Sequence, residues 1–145
     1  MYGQELEIAK EIAKQAGQVM RQYFYHGQQR QIKADGTPLT VADTTINDLV
    51  INELAKAFGE DIVIGEEAST GNYGLGRRWL CDPIDGTKAF TWGVPTAMFS
   101  LALVVDGRPV LGVCFEPMVD RLYWAVEGMG ACCGEGQIRV NSEDL

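Results

Sequence analysis

The chain has 145 residues, with 20 Asp or Glu against 12 Lys or Arg, so its formal net charge is −8. Apolar residues make up 46% and charged residues 22%, which excludes a collagen-like, disordered or low-complexity chain. The acid surplus, with no basic run longer than Arg77-Arg78, argues against nucleic acid as a partner, because binding a phosphate backbone requires clustered Lys and Arg. No segment approaches the ~18 consecutive apolar residues of a membrane-spanning helix, so no membrane partner is expected.

Two amphipathic helices are predicted in the first sixty residues, with turn residues between them. Gly27 and a Gln-rich stretch end the first helix, and residues 33–38 form a loop in which Asp-Gly and Pro favour turns. Asp43 stands at the start of the second helix and Gly59 just past its end, as capping residues do. The apolar positions at helical spacing are Leu6, Ala9, Ala13, Ala16, Met20 and Tyr23 in the first helix, and Ile46, Leu49, Val50, Leu54 and Ala57 in the second.

Short strands follow the helices. The Asp106-Gly107 pair between two apolar runs predicts a hairpin with a type I′ turn. Two helices followed by a run of strands predict an α+β fold, in which the helices pack on one face of a mostly antiparallel sheet. The strand candidates are 61–64, 77–81, 98–105, 110–115, 121–126 and 137–140.

The cysteines indicate the compartment. Cys81, Cys114, Cys132 and Cys133 have no CxxC spacing, and we interpret them as buried free thiols of a cytoplasmic protein. The N-terminal segment is acidic and lacks a basic region before an apolar one, so it is not a signal peptide.

Acidic residues concentrate where two predicted strands end. Glu66-Glu67 follows one strand and Asp82 with Asp85 follows the next, while Asp43 at a helix start could face them. The two clusters point the same way if the strands are parallel neighbours, and otherwise meet across a loop. Converging carboxylates without His or Cys suit Mg²⁺, Mn²⁺ or Ca²⁺. The alternatives remain a capped surface turn, a solvated Glu pair and a helix cap.

The segment 82–87 could perform phosphate chemistry. Pro83 fixes the turn so that Asp82 and Asp85 can aim at one point. Gly86 lets an anion approach the backbone N–H groups of residues 86 and 87, and the Thr87 hydroxyl can orient a water molecule. Two acids for metals, two amides for phosphate and one hydroxyl are the set that two-metal hydrolysis of a phosphate ester needs.

These residues resemble a known family. Gly65-Glu66-Glu67 and the segment from Trp79 to Phe90, with Asp-Pro-Ile-Asp-Gly-Thr at 82–87, are similar to the inositol monophosphatase family of Mg²⁺-dependent, lithium-sensitive sugar phosphatases. Residues 33–43 match the family's Thr-x-x-Asp segment in type, place and order. The resemblance runs through the whole chain and implies the N-terminal part of that family's layered fold.

The resemblance implies a role for each matching residue. Glu66, Asp82 and the carbonyl of Ile84 would bind a first metal ion, and Asp82 and Asp85 a second. Asp43 and Thr87 would orient and polarise the attacking water, while the amides of Gly86 and Thr87 hold phosphate oxygens. Glu67 would support these ligands. The implied cofactor is Mg²⁺, with Mn²⁺ as a possible substitute and Li⁺ as an inhibitor.

One part of the family pattern is missing. Members carry a Trp-Asp motif in a second domain, whose Asp completes the second metal site, and this sequence stops at 141–145 before such a motif. Residues 1–145 are therefore expected to be the N-terminal metal-binding domain, with the C-terminal domain absent and catalysis by the chain alone impaired. The expected function is hydrolysis of a small sugar or alcohol phosphate by a homodimer. The alternatives are histidinol-phosphatase activity, 3'(2'),5'-bisphosphate nucleotidase activity, or a non-catalytic association module.

Overall fold

In a computed structural model, the protein is described over residues 1–26, 30–32 and 38–141. The predicted turn residues 33–37 and the helix-ending Gly27 lie outside this part of the chain. The elements are α1 (Gly3–His26), β1 (Arg30–Ile32), β2 (Pro38–Thr40), α2 (Val41–Ala57), β3 (Ile62–Gly65), β4 (Arg77–Asp85), α3 (Thr87–Thr91), β5 (Met98–Val105), β6 (Arg108–Glu116), β7 (Arg121–Val126), β8 (Gly130–Cys133) and β9 (Gly136–Ile138).

Seven strands, β3 to β9, form one sheet in which strands adjacent in sequence are also adjacent in space. Every pair in this sheet is antiparallel except β3 and β4, which run parallel. β1 and β2 form a separate two-stranded antiparallel sheet. The predicted α+β fold with a mostly antiparallel sheet is confirmed. The sequence did not reveal α3, β1, β2 or β8, which have only three to five residues each, and Pro38, predicted to lie in a loop, instead begins β2.

The central hairpin has the predicted turn. Asp106 and Gly107 both have positive φ, 48° and 81°, as a type I′ turn requires. β5 and β6 pair on either side of it, with Leu101 opposite Val113. This hairpin supplies much of the inward-facing surface of the sheet.

Both long helices cover the same face of the sheet. α1 packs against α2, β5 and β6, and α2 packs against β4. Trp79 and Phe99 are fully buried between the layers, and burying such a side chain contributes about 1.5–3 kcal/mol. All four cysteines are free, as predicted, but only Cys81 and Cys132 are buried, whereas Cys114 and Cys133 are half-buried. None of the described helices is both long and apolar enough to cross a bilayer.

A cluster of ion pairs around Arg77 connects the beginning of β4 to Asp61, which precedes β3, and to α1. The Arg77 guanidinium donates to both oxygens of Asp61, at 2.9–3.1 Å, and also to Glu5 of α1 at 3.2 Å. The Trp79 indole N–H donates to the same Asp61 carboxylate at 2.9 Å. Asp61 therefore satisfies a buried indole and a guanidinium at once.

Candidate active site

The parallel pairing of β3 and β4 brings the two acidic clusters together. Gly65 lies opposite Cys81 in the register, so the next residues, Glu66 and Asp82, lie side by side. The ladder continues one step beyond the strand, because the Glu66 N–H donates to the Cys81 carbonyl at 3.1 Å. Of the two arrangements that the sequence left open, the structure has the parallel one.

Glu66, Asp82 and Asp85 form an acidic edge at the carboxyl ends of β3 and β4, and Asp82 is the member with a strongly raised pKa. Burial, the negative charges of Glu66 and Asp85, and a hydrogen bond with Glu66 raise the pKa of Asp82 to about 7, against the weaker opposing effect of the Ile84 backbone. Its Oδ1 atom is buried and, within the described chain, has no hydrogen-bond partner. A buried carboxylate oxygen without a donor is costly, and a divalent cation is the kind of partner that would remove this cost. The residues present therefore fit a bound metal.

The carboxylates do not already enclose an ion. Among residues 1–26, 30–32 and 38–141, no group of three or more His, Cys, Asp or Glu side chains is placed to hold a metal. Glu66 and Asp85 are exposed, whereas Asp82 lies deeper. Coordination of one cation by all three acids would require the exposed Glu66 and Asp85 side chains to turn towards Asp82. Their role as ligands remains a prediction.

A bulge in β4 directs the segment that follows Asp82. The pairing with β5 is regular up to Asp82 and resumes at Asp85 after a shift in register. Pro83, which cannot donate to a ladder, lies within this irregular stretch, and the Ile84 side chain is buried and anchors it. Gly86 then adopts φ 88°, a left-handed conformation that favours glycine, and turns the chain into α3.

Asp43 and Thr87 meet across the site. Their side chains approach to 3.3 Å between Thr87 Oγ1 and Asp43 Oδ1, and the same hydroxyl lies 2.9 Å from the Ile84 carbonyl oxygen. A hydroxyl has one proton, so it can donate to only one of these acceptors at a time. The predicted pair is brought together, beside the carbonyl that was predicted to bind metal.

The N-terminus of α2 fixes Asp43. The N-cap of the helix is Thr40, and Asp43 is the third helical residue of a capping box, so the sequence-based assignment of Asp43 as a cap was one turn out of place. Asp43 Oδ2 accepts from the Thr40 N–H at 2.8 Å and from the Thr40 hydroxyl at 2.5 Å. Both residues are buried, and these bonds leave Oδ1 facing Thr87.

A cavity of about 450 Å³ adjoins Glu66 and Asp82. Its wall includes Leu80 and Ser100, which lie on strands of the sheet, and the exposed Tyr73 of the loop before β4. The space lies directly beside the acidic edge. Its lining includes neither Asp43 nor the turn at 85–87, so the predicted phosphate-binding amides lie outside it.

Two polar residues of this region were not recognised from the sequence as part of the site. Thr40 was noted only within a motif, although an Asp three residues after a Thr is a capping-box pattern. Asn47 lies on the apolar face of α2, one turn after Asp43, and is buried. A second polar residue one turn after Asp43, among the apolar residues of the same helix face, was the available signal.

Comparison with known proteins identifies the family to which the chain is similar. The family model described as "Inositol monophosphatase family" matches residues 2–145. Inositol monophosphatase 2 of Solanum lycopersicum is 36% identical over 143 residues, which cover 95% of this chain and 54% of that protein. A histidinol-phosphatase of Chlorobaculum parvum is 37% identical over 139 residues, with 95% and 54% covered.

A solved structure shows the same fold. The extragenic suppressor protein suhB from Bartonella henselae superposes with a TM-score of 0.91 at 27% identity, covering 97% of this chain and 56% of that one. The chain thus spans about half the length of the relatives that it matches. The match over nearly all residues of this chain, together with the order of its motifs, shows that it belongs to the inositol monophosphatase family.

Proposed function

We propose that this chain supplies the metal-binding part of a Mg²⁺-dependent phosphomonoesterase that hydrolyses a small sugar or alcohol phosphate. The observation that carries the proposal is Asp82, whose buried oxygen has no donor among the described residues and whose charge is opposed by two neighbouring carboxylates. The carboxylates of a surface turn stay hydrated and keep their ordinary pKa. A site built for a cation instead brings carboxylates close together and buries some of their oxygens, which raises the pKa in the absence of the cation. The inositol monophosphatase relatives support the same class of reaction.

The proposed metal ligands come from the ends of β3 and β4. Glu66, Asp82 and the Ile84 carbonyl would hold one Mg²⁺, and Asp82 with Asp85 would hold another. Mn²⁺ is a plausible substitute, because it also prefers oxygen ligands. When bound, the metal lowers the pKa of a coordinated water and neutralises charge on the phosphate.

Asp43 and Thr87 would orient the attacking water. Asp43 Oδ1 would accept a hydrogen bond from the water, while the Thr40 N–H and hydroxyl both donate to Oδ2 of the same carboxylate. The Thr87 hydroxyl can turn between Asp43 and the Ile84 carbonyl, so it can hold a water in line without moving the backbone. The backbone N–H groups of Gly86 and Thr87 would bind phosphate oxygens.

Histidinol phosphate is the second candidate substrate. The histidinol-phosphatase relative is as similar to this chain as the inositol monophosphatase is, at 37% against 36% identity. Lys88 follows Thr87 directly, and its ammonium lies 5.5 Å from the ring centroid of the exposed Trp92. We expect this pair at the edge of the site to influence which alcohol is accepted.

We also propose a cytoplasmic homodimer. The loop after α3 exposes two apolar side chains, Trp92 at 69% and Val94 at 43%, and such side chains are often covered in an assembly. Light scattering on the purified chain should give twice the monomer mass. A Trp92→Ser variant should then shift the mass towards the monomer.

Metal binding is tested on the chain itself. Titration calorimetry with Mg²⁺ and with Mn²⁺ should show binding to the wild type and none to Asp82→Ala. The exposed Asp48 of α2 gives a control, because Asp48→Asn should bind as the wild type does. Equal binding by wild type and Asp82→Ala would overturn the assignment of the site.

Hydrolysis is tested on a protein that also carries the second half of its relatives. With Mg²⁺ it should release phosphate from inositol monophosphate or histidinol phosphate, and Asp85→Asn should lower kcat by at least about 100-fold, as loss of one group that stabilises transition-state charge does. A long protein that hydrolyses no phosphate monoester, or an Asp85→Asn variant with full activity, would contradict the proposed function.

A further inference from the structure

Asn47 is an unusual residue for its position. It lies on α2 four residues after Asp43, therefore on the same face of the helix, and it is 1% exposed. Its neighbours on that face, Ile46 and Val50, are fully buried apolar residues. A buried amide in such a face normally has both ends hydrogen-bonded.

Only one end of the Asn47 amide is satisfied. Its Nδ2 donates to the carbonyl of Ala68 at 3.1 Å, which lies 21 residues further along the chain. Its Oδ1 is buried and has no hydrogen-bond partner in the part of the chain that the structure describes. An unmade hydrogen bond of this kind costs stability, so packing alone does not explain why Asn stands here.

The contact made by Asn47 closes the loop that carries Glu66. The Ala68 carbonyl accepts a second bond, from the Gly65 N–H at 3.1 Å, and the Thr70 N–H donates to Val63 at 2.9 Å. The loop from Gly65 to Ala68 is therefore a tight turn fastened at its base. Asn47 attaches that base to α2, and Glu66 is the next residue after the fastened Gly65.

The backbone of Gly65 lies in close contact with the Asn47 side chain of α2. A Cβ atom at Gly65 would lie 2.0 Å from Asn47 Oδ1 and 2.4 Å from the Ala68 carbonyl oxygen, both far below ordinary contact. The absence of a side chain at Gly65 thus lets the Asn47 amide reach the loop backbone.

We propose that Asn47 is a positioning residue, which holds the Glu66 loop against the helix that carries Asp43. The contact fixes the separation between the metal ligand on the loop and the water-orienting carboxylate on the helix. This inference rests on the proposed function, because it assumes that Glu66 binds metal. Groups that hold a ligand from behind commonly change metal affinity 10- to 100-fold when they are removed.

The test compares two truncations on one helix. Asn47→Ala removes the contact with the loop, whereas Val50→Ala removes an equally buried side chain one turn away that does not bond to the loop. Mn²⁺ affinity is measured by calorimetry at a temperature where circular dichroism shows both variants to be folded. Asn47→Ala should weaken Mn²⁺ binding at least about 10-fold, and Val50→Ala should stay within about twofold of the wild type.

Gly65→Ala provides the second variant. It leaves Asn47 in place but forces the loop away from α2, so it should weaken Mn²⁺ binding to a similar degree. It keeps the inference testable if Asn47→Ala does not fold. The wild type must first bind Mn²⁺. If Asn47→Ala or Gly65→Ala then binds Mn²⁺ as tightly as Val50→Ala does, the positioning role of Asn47 is overturned, while the proposed function stands. A wild type that binds no Mn²⁺ would overturn both.

Discussion

Neutralising Asp82 should stabilise the metal-free protein, and only above mildly acidic pH. The perturbation is Asp82→Asn, which keeps the size of the side chain and removes its charge. Burial and the charges of Glu66 and Asp85 raise the pKa of Asp82 from 3.8 to about 7. Between these two pH values the folded state binds a proton that the unfolded state releases, so the free energy of unfolding of the wild type falls as the pH rises.

The size of the effect follows from the pKa. A difference of about three pH units corresponds to at most about 4 kcal/mol at about 1.4 kcal/mol for each unit. Because Asp82 is partly exposed, solvent screening reduces this to on the order of 2 kcal/mol. At pH 8 the variant should therefore melt about 5 °C above the wild type, and at pH 4 the two should be nearly equal.

The assay is thermal and urea denaturation from pH 4 to 8.5 in the presence of a chelator, followed by circular dichroism. Asp48→Asn, which neutralises an exposed carboxylate on α2, serves as the control and should show no comparable rise with pH. Saturating Mg²⁺ should reverse the order of stabilities, because a ligand at 100 times its Kd adds about 2.7 kcal/mol to the wild type alone. A variant no more stable than the wild type at pH 8 without metal would refute the reasoning.

Two further predictions concern stability away from the acidic edge. Asp61→Ala leaves the Arg77 guanidinium and the buried Trp79 indole without their shared acceptor, so the free energy of unfolding should fall by about 3 kcal/mol in urea titrations; a loss below about 1 kcal/mol would contradict this. Gly17→Ala places a Cβ 2.3 Å from a ring carbon of Phe115, and the strain should exceed the gain in helix propensity, for a net loss of about 1–2 kcal/mol in the same measurement. An unchanged midpoint would show that the ring can move.

The sequence was informative where the pattern is long and repetitive. α1 and α2 have several turns of apolar residues at helical spacing, and the β5–β6 hairpin has an Asp-Gly turn between two apolar runs, so their existence and type were predicted. α3 follows a left-handed Gly86 and has only five residues, so it is too short for any periodicity to appear. Where local pattern is lacking, long-range pairing decides the structure.

The arrangement of the site depends on such long-range pairing. β3 has four residues, and nothing in a short apolar run states whether it pairs parallel or antiparallel with β4. That choice places Glu66 beside Asp82. The contact between Asn47 and Ala68 spans 21 residues and likewise has no signature in sequence. Local motifs therefore predicted Glu66, Asp82 and Asp85 as candidate site residues, whereas the β3–β4 pairing that sets their mutual positions has no local signature.

The β3–β4 pair divides stability and chemistry between its two ends. At the beginning of the strands, Asp61 accepts from Arg77 and Trp79 and is stabilised by them. At their carboxyl ends, Glu66 and Asp82 repel each other, and no described side chain donates to the buried Asp82 oxygen. The two acids thus act in opposite directions, because among the described residues Asp61 has a guanidinium partner and the buried Asp82 oxygen has no donor. Neutralising Asp61 should weaken the fold with or without metal, whereas the sign of the Asp82 effect should depend on the metal.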